Sequence, residues 1–329
     1  MRTEKGYNKG MKLLEAVPNI SEGKNANVIN QVVDAALRVP GVRVLHVDTN
    51  PDANRTVITL AGEPQALVQS VFLLVQTATR LIDMRTHLGA HPRVGAVDVC
   101  PLVPIQEISL QEAAVYAETL ARRVGQELQI PVYLYEANAR TQARKNLAFI
   151  RQGEYESLPQ KLRKLPPDFG PQNFDQHVAQ TGACVIGARN FLIAFNMSLN
   201  TKDVAIAREI AAHLREKNGG LKSVKAIGWY MEHYHCAQVS CNLTDYTQTG
   251  LAQVFETCKQ LAAARGVQIT ASELIGLVPQ EAMRQAGRFY APDEKDTAML
   301  INVTAEKLLL GKIHPFVAKE RILEEVLGV

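Results

Sequence analysis

Apolar residues in the first half of the chain alternate between a two-residue period and the 3.6-residue period of a helix. "KLLEAV" reads as a short strand, and "NANVINQVVDAALRV" puts Val28, Ile29, Val32, Val33, Ala36 and Leu37 on one helical face. Pro40-Gly41 stops that helix. "VRVLHVD" and "RTVITLAG" flank the turn "PDAN" as a hairpin. "EPQALVQSVFLLVQTATRLIDM" is a long amphipathic helix opening near Pro64, and "RVGAVDVCPLV" is a fourth strand. The order β-α-β-β-α-β predicts an α+β fold of the split-βαβ, ferredoxin-like kind. A helix over "SLQEAAVYAETLARRVGQEL" and a strand "PVYLY" extend it.

The pattern then lapses. "LRKLPPDFGPQNF" has three prolines, a glycine and no period, and reads as the connection between halves. Beyond it the same order recurs: "CVIGARNFLIAFNMSL" as a strand, "TKDVAIAREIAAHLREK" as a helix capped by Thr201, then strands in "GLKSVKAIGWYM" and "CAQVSCNLTDY". "GLAQVFETCKQLAAARG" is a helix ending at Gly266, and "VQITASELIGLVP" holds another strand. The expected division is a loose extension at 1–11, a first α/β sandwich at 12–180 and a second at 181–329, with a substrate groove between the sandwiches.

Composition narrows the function. Hydrophobic content of 47% and charged content of 21% are ordinary for a soluble globular protein. The net charge of +3 and the 6% aromatic content give no case for nucleic acid. No apolar run approaches the roughly 20 residues that span a bilayer. Neither a membrane nor a secretion signal is expected, and the location read from this is cytoplasmic. The five cysteines form no C-x-x-C pair, which argues against a zinc clip or a disulfide framework.

The polar clusters carry the candidate chemistry. In "RTHLGAHPRVGAVD", His87 and His91 have the spacing of a helical zinc pair. Gly89 weakens any helix there, and Pro92 disfavours α conformation at His91, so no metal is expected. An acid–base role fits better, because a histidine titrates near neutrality. Spacing does not choose between the two. "VPNISEGKN" sets Asn19 and Ser21 before a helix, either as cap residues or as an anion-binding turn. Asn54 and Arg55 lie around the hairpin turn, with Asp48 just before it. Gln238, Ser240 and Asn242 alternate along one strand, so they share a face that is either solvated or a cleft wall.

Taken together, "VPNISEGKN", "DTNPDANRTV", "RLIDMRTHLGAHPRVGAVDVCPLVPI", "PVYLYEANAR", "IRQGEYESLPQKL", "PDFGP", "GARNFLIAFN", "IGWY", "AQVSCNL" and "GLVP" resemble the formiminotransferase domain family. The match runs from about residue 13 to the end of the chain. It implies two α/β subdomains and transfer of a formimino group from N-formimino-L-glutamate to N5 of tetrahydrofolate, the folate acting as co-substrate and no metal taking part. It implies small-molecule partners, a homodimer, and the monofunctional form that lacks a fused cyclodeaminase.

Carried over on the resemblance, the catalytic histidine falls on His91 and the family's aspartate on Asp48. The folate-covering segment begins at Gly170, Pro171, Gln172, Asn173 and Phe174 and runs towards Gly182. Arg55, Arg93 and the "SEGKN" turn are the candidates for holding carboxylates, and Asn19, Ser21, Asn54, Gln238 and Asn242 complete the candidate substrate site. The chain departs from the family's pattern at Ala90, where glutamate is usual, in "DQHVAQ", and at Asn190. These departures keep two other readings open: formyl exchange between 5-formyltetrahydrofolate and glutamate, and folate binding without turnover. His91→Ala is expected to abolish transfer while leaving folate binding intact, with a much milder effect from His87→Ala, as steady-state assays of the two variants would show.

Overall fold

The computed structural model describes Tyr7 and residues 10–328, so most of the 1–11 extension lies outside the described residues. The described chain falls into two compact units, residues 10–190 and residues 191–328 with Tyr7.

In the first unit, β1 (Leu13–Ala16) and β2 (Asn19–Ile20) both pair with the same two strands and act as one interrupted strand. The break falls at Val17-Pro18, since proline has no N–H to give a ladder. Helix α1 (Ala26–Leu37) starts where the Asn25 side chain accepts from the amides of Asn27 and Val28. β3 (Arg43–Asn50) and β4 (Arg55–Gly62) form the expected hairpin. α2 (Pro64–Leu81) opens on its proline, and β5 (Val97–Gln106) follows after a loop. α3 (Leu110–Glu127) opens with a capping box between Ser109 and Glu112. β6 (Val132–Leu134), three short helices α4 (Leu147–Arg151), α5 (Leu158–Lys164) and α6 (Gln176–Thr181), and β7 (Cys184–Ala188) complete the unit.

Across the sheet the strands run β3-β4-β1/β2-β5-β7-β6. One face is sealed by a core of Leu14, Ile20, Ile58, Leu60, Leu102 and Ile186 packed with apolar residues of α1, α2 and α3. On the other face, Val99, Tyr133 and Val185 pack with Ile150, Leu158, Leu162 and Val178 from the short helices.

The second unit contains β8 (Ile193–Leu199), α7 (Val204–Leu214), β9 (Val224–Met231), β10 (Cys236–Leu243), α8 (Leu251–Ala263) and β11 (Ile269–Ile275). Its antiparallel sheet runs β11-β8-β10-β9. Counted within the unit, that is fourth, first, third, second. The first unit shows the same order in β5, β1/β2, β4 and β3. Four C-terminal helices, α9 (Gln280–Tyr290), α10 (Thr297–Lys307), α11 (Ala318–Arg321) and α12 (Leu323–Leu327), had no counterpart in the periodicity reading.

Three local readings differ from expectation. "CVIGARNFLIAFNMSL" is two strands in different units: β7 pairs in parallel with both β5 and β6, and β8 belongs to the second sheet. The division between units therefore falls after Asn190, ten residues beyond the expected one at 180/181. The proline-rich segment is a strap of the first unit. Val132 N donates to Phe169 O at 2.9 Å, and the Asp168 side chain accepts from Leu134 N at 2.8 Å while pairing with Arg144. The N-cap of α7 is Asp203, which binds Ala205 N; Thr201 instead accepts from Asp203 N.

Gly170 makes the strap possible. Its φ is +84°, and a Cβ there would stand 2.1 Å from the Ile130 carbonyl. Gly170→Ala is expected to cost about 1–3 kcal/mol or more, since left-handed strain adds to a backbone clash. Urea unfolding should show a lower midpoint at an unchanged slope.

Candidate functional site

The loop from Ile82 to Ala96 carries both histidines and contains no helix at 87–91, so their rings serve different networks. His87 is buried. Its Nδ1 accepts from Arg93 Nε at 3.3 Å, which places the proton on Nε2, 3.0 Å from the Asn54 carbonyl. Burial lowers its pKa, and the Arg93 charge adds to the effect. His87 thus joins the loop to the hairpin turn.

His91 has the opposite tautomer. Nδ1 lies 2.7 Å from the Pro92 carbonyl and must hold the proton to donate there, which leaves the basic lone pair on Nε2. Burial and the charges of Arg55 and Arg151 hold its pKa well below the ordinary value, while Asp98 opposes them. At neutral pH the imidazole is uncharged.

Asp98 is the centre of the arrangement. It sits at the start of β5 with no solvent exposure. Its Oδ2 accepts from Arg55 Nη1 at 2.7 Å and from Arg151, and Oδ1 accepts from Val94 N at 2.9 Å. Burial alone would raise its pKa, but the two guanidinium groups prevail and bring it down to about 2. Arg55, buried beside it, also donates from Nε to Asn19 Oδ1 at 3.0 Å, and burial lowers its own pKa to about 10. Arg55 and Asn19 are therefore brought together, and the charge of Arg55 acts on His91.

The remaining candidates separate into builders of the loop and residues elsewhere. Asn54, at φ +46°, accepts from Gly23 N and donates to Leu88 O, tying the "SEGKN" turn to the histidine loop. Ser21 Oγ donates to Gly95 O at 2.8 Å. The amides of that turn are already used: Glu22 accepts from Lys24 N and Asn25 N, so helix capping wins over an anion site. Arg93 is committed to Glu156 at 2.6 Å and Glu154 at 3.1 Å. Asp48, opposite Val57 on β3, stands 3.6 Å from His46 Nε2, and the carboxylate whose charge acts on His91 is that of Asp98.

Gly182, at φ +67°, crosses against Gly95 so closely that a Cβ would lie 2.4 Å from Val94 O. Thr181 O and Ala183 N bond the loop on either side of that crossing. In the segment before it, Phe174 packs near Tyr155 with ring centroids 6.2 Å apart, Gln172 and Asn173 are exposed, and Gly170 and Pro171 belong to the strap.

In the second unit the alternation of β10 holds: Ala237, Val239, Cys241 and Leu243 enter the core, and Gln238, Ser240 and Asn242 turn the other way. Gln238 is fully buried, accepting from Trp229 Nε1 at 2.8 Å and donating to Glu273 at 3.0 Å. Asn242 is exposed.

Residue-by-residue reading missed Asp98, Arg151, Glu154 and Glu156. The available signal was Asp98 itself, a lone acid inside the apolar run "AVDVCPLV", which requires a buried partner.

Two α+β units make up the described chain, and the first holds a buried Arg–Asp–Arg cluster whose charges act on His91. Residues 13–189 match the formiminotransferase domain, N-terminal subdomain, and residues 194–328 match the formiminotransferase domain. The chain belongs to the formiminotransferase domain family. It is 42% identical to the glutamate formimidoyltransferase of Streptococcus pyogenes serotype M1, covering 85% of this chain and 93% of that one. A glutamate formimidoyltransferase of Thermoplasma acidophilum is 40% identical, with 85% and 92% covered. The formimidoyltransferase-cyclodeaminase of Mus musculus is 43% identical over 95% of this chain, which spans 59% of that relative's length.

The pKa directions set an acid-stability profile. His91 stays neutral in the fold while the unfolded chain takes up a proton near pH 6.5, so stability falls as pH drops below about 6.5. Asp98 contributes above its unfolded pKa of about 3.9, and that contribution is lost as pH falls towards 2. Unfolding free energies measured against pH should therefore decline in two stages. Asp98→Asn is expected to remove the second stage and to cost about 3–5 kcal/mol, because two buried guanidinium groups lose their counter-charge.

Proposed function

We propose that the chain transfers the formimino group of N-formimino-L-glutamate to N5 of tetrahydrofolate, with His91 as general base and then general acid. The observation that carries this is the family match over both units, joined to a neutral His91 whose Nε2 holds the lone pair. N5 attacks the amidine carbon and gives its proton to Nε2. The proton then passes to the glutamate nitrogen as the C–N bond to that nitrogen breaks, so the imidazole ends as it began.

A lowered pKa makes His91 a weaker base but a stronger acid. Arg55 and Arg151 therefore favour the second proton transfer, and Asp98 steadies the imidazolium between the two steps. Positioned proton transfer typically contributes about 10²–10⁴-fold, so holding the two substrates together supplies much of the rest.

In this reading both units are ferredoxin-like sandwiches, supported by their shared fourth-first-third-second strand order. Asn19, Ser21 and Asn54 shape the substrate site, with Gly170, Pro171, Gln172, Asn173 and Phe174 over the folate. Asp48 is carried as a catalytic residue on the family resemblance, which also implies a homodimer, and Arg93, Gln238 and Asn242 are kept as substrate-site candidates. Tetrahydrofolate acts as co-substrate and no metal is assigned. Among the described residues no helix is long and apolar enough to cross a membrane.

Purified protein given formiminoglutamate and tetrahydrofolate is expected to form 5-formiminotetrahydrofolate, followed by absorbance. His91→Ala should lower kcat by about 10²–10⁴-fold with folate affinity unchanged. Turnover only with 5-formyltetrahydrofolate and glutamate would move the assignment to formyl exchange. Folate binding with no turnover of either pair would leave a binding protein.

A further inference from the structure

The sheet face turned away from α1, α2 and α3 holds a buried carboxyl that this chemistry leaves unused. Leu14 and Ala16 of β1 enter the core on the helix side, so strand alternation turns Glu15 to the opposite face. Glu15 is 2% exposed, yet among the described residues its side chain takes no hydrogen bond and no ion pair. Burial raises its pKa to about 7, opposed only by the charge of Arg189. A second unpartnered group stands nearby. Thr59 Oγ1 on β4 is buried without a hydrogen-bond partner. Glu15 pairs across from Ala61, and Thr59 lies two residues from Ala61 on the same face. The two are thus diagonal neighbours, with Cα atoms about 7–8 Å apart and side chains within reach of one ligand.

Orphaned polar groups in a native interior call for a partner, since each costs free energy while unmatched. An ionised carboxylate only accepts, and a hydroxyl also accepts, so the pair is matched to N–H donors. We propose that Glu15, assisted by Thr59, binds a substrate edge that presents two adjacent N–H donors of the amidine type.

This inference rests on the proposed function, which offers that chemistry in two places: the 2-amino and N3–H edge of the pterin, and the formamidine of the donor. The position suits either. From Thr59 to Arg55 is four residues of β4, about 13 Å of strand. Arg55 leads through Asp98 to the surroundings of His91. That span is comparable with the length of a bicyclic ring and its attached group, so a ligand held at Glu15 would extend towards His91 along the same face of β4.

The test uses the full chain with Glu15→Gln and Thr59→Val, each close to its parent in shape and each checked for an unchanged melting temperature. Folate affinity is read by calorimetry, and the KM for formiminoglutamate by steady-state kinetics. Loss of a hydrogen-bonded carboxylate should weaken one ligand by about tenfold or more in Glu15→Gln, with a smaller loss of the same ligand in Thr59→Val. Weaker folate with unchanged donor KM assigns the pterin edge; the reverse assigns the formamidine. Should Glu15→Gln fail to fold, Thr59→Val alone decides. Folded variants that keep both values within twofold of the parent overturn the inference while leaving turnover, and hence the proposed function, standing. A parent that binds folate without turnover, with binding lost in Glu15→Gln, overturns the transferase reading and keeps the subsite.

Discussion

The first unit is organised around a charge that has been taken out of water. Asp98 has no solvent of its own, so its ionised form exists only because Arg55 and Arg151 stand against it and Val94 gives it an amide. Those three contacts come from β4, from α4 and from the loop that leads into β5. One carboxylate thereby fixes the relative positions of the hairpin, the short-helix face and the histidine loop. The cluster is net positive, and His91 lies in its field. Burial and the two guanidinium charges keep the imidazole neutral, against the opposing charge of Asp98.

Around that cluster the backbone is stitched rather than packed. Asn54 binds the turn before α1 on one side and the histidine loop on the other. Arg93 locks His87 from within the loop and is itself held by Glu154 and Glu156. Two histidines four residues apart thus serve opposite ends. One is spent on architecture, and the other keeps its lone pair on the nitrogen remote from the backbone bond. Tautomers are set by neighbours, so no spacing rule could have separated them.

What was legible in the sequence follows the range of the forces involved. Strands β3 and β4, helices α1, α2 and α3, and the alternation of β10 are governed by local periodicity and turn chemistry, and all were readable. Assigning β7 to the first sheet was not, because its sides are filled by β5 and β6, strands more than 50 positions earlier in the chain. The proline-rich strap looked like a linker for the same reason: its hydrogen bonds go to Val132 and Leu134, far from it in sequence. Of the site, Asn19 and Arg55 came from the polar clusters, the choice of His91 from motif resemblance, and Asp98 from neither. A lone acid among apolar residues announces a partner without saying which one.

The crossing of Gly182 over Gly95 has a consequence for how the protein is made. The histidine loop leaves the ribosome some 90 residues ahead of the segment that clamps it, and β7, the strand that closes the sheet, emerges later still. Contacts of such sequence separation form late, because loop closure must be met before they are rewarded. During synthesis, Asp98 waits for Arg151 to appear, and the loop waits for Thr181 and Ala183. A chain stalled or cleaved before residue 183 would carry His91, Asp98, Arg55 and Arg151 but lack the Ala183 bond to Val94 and the strand that lies beside β5.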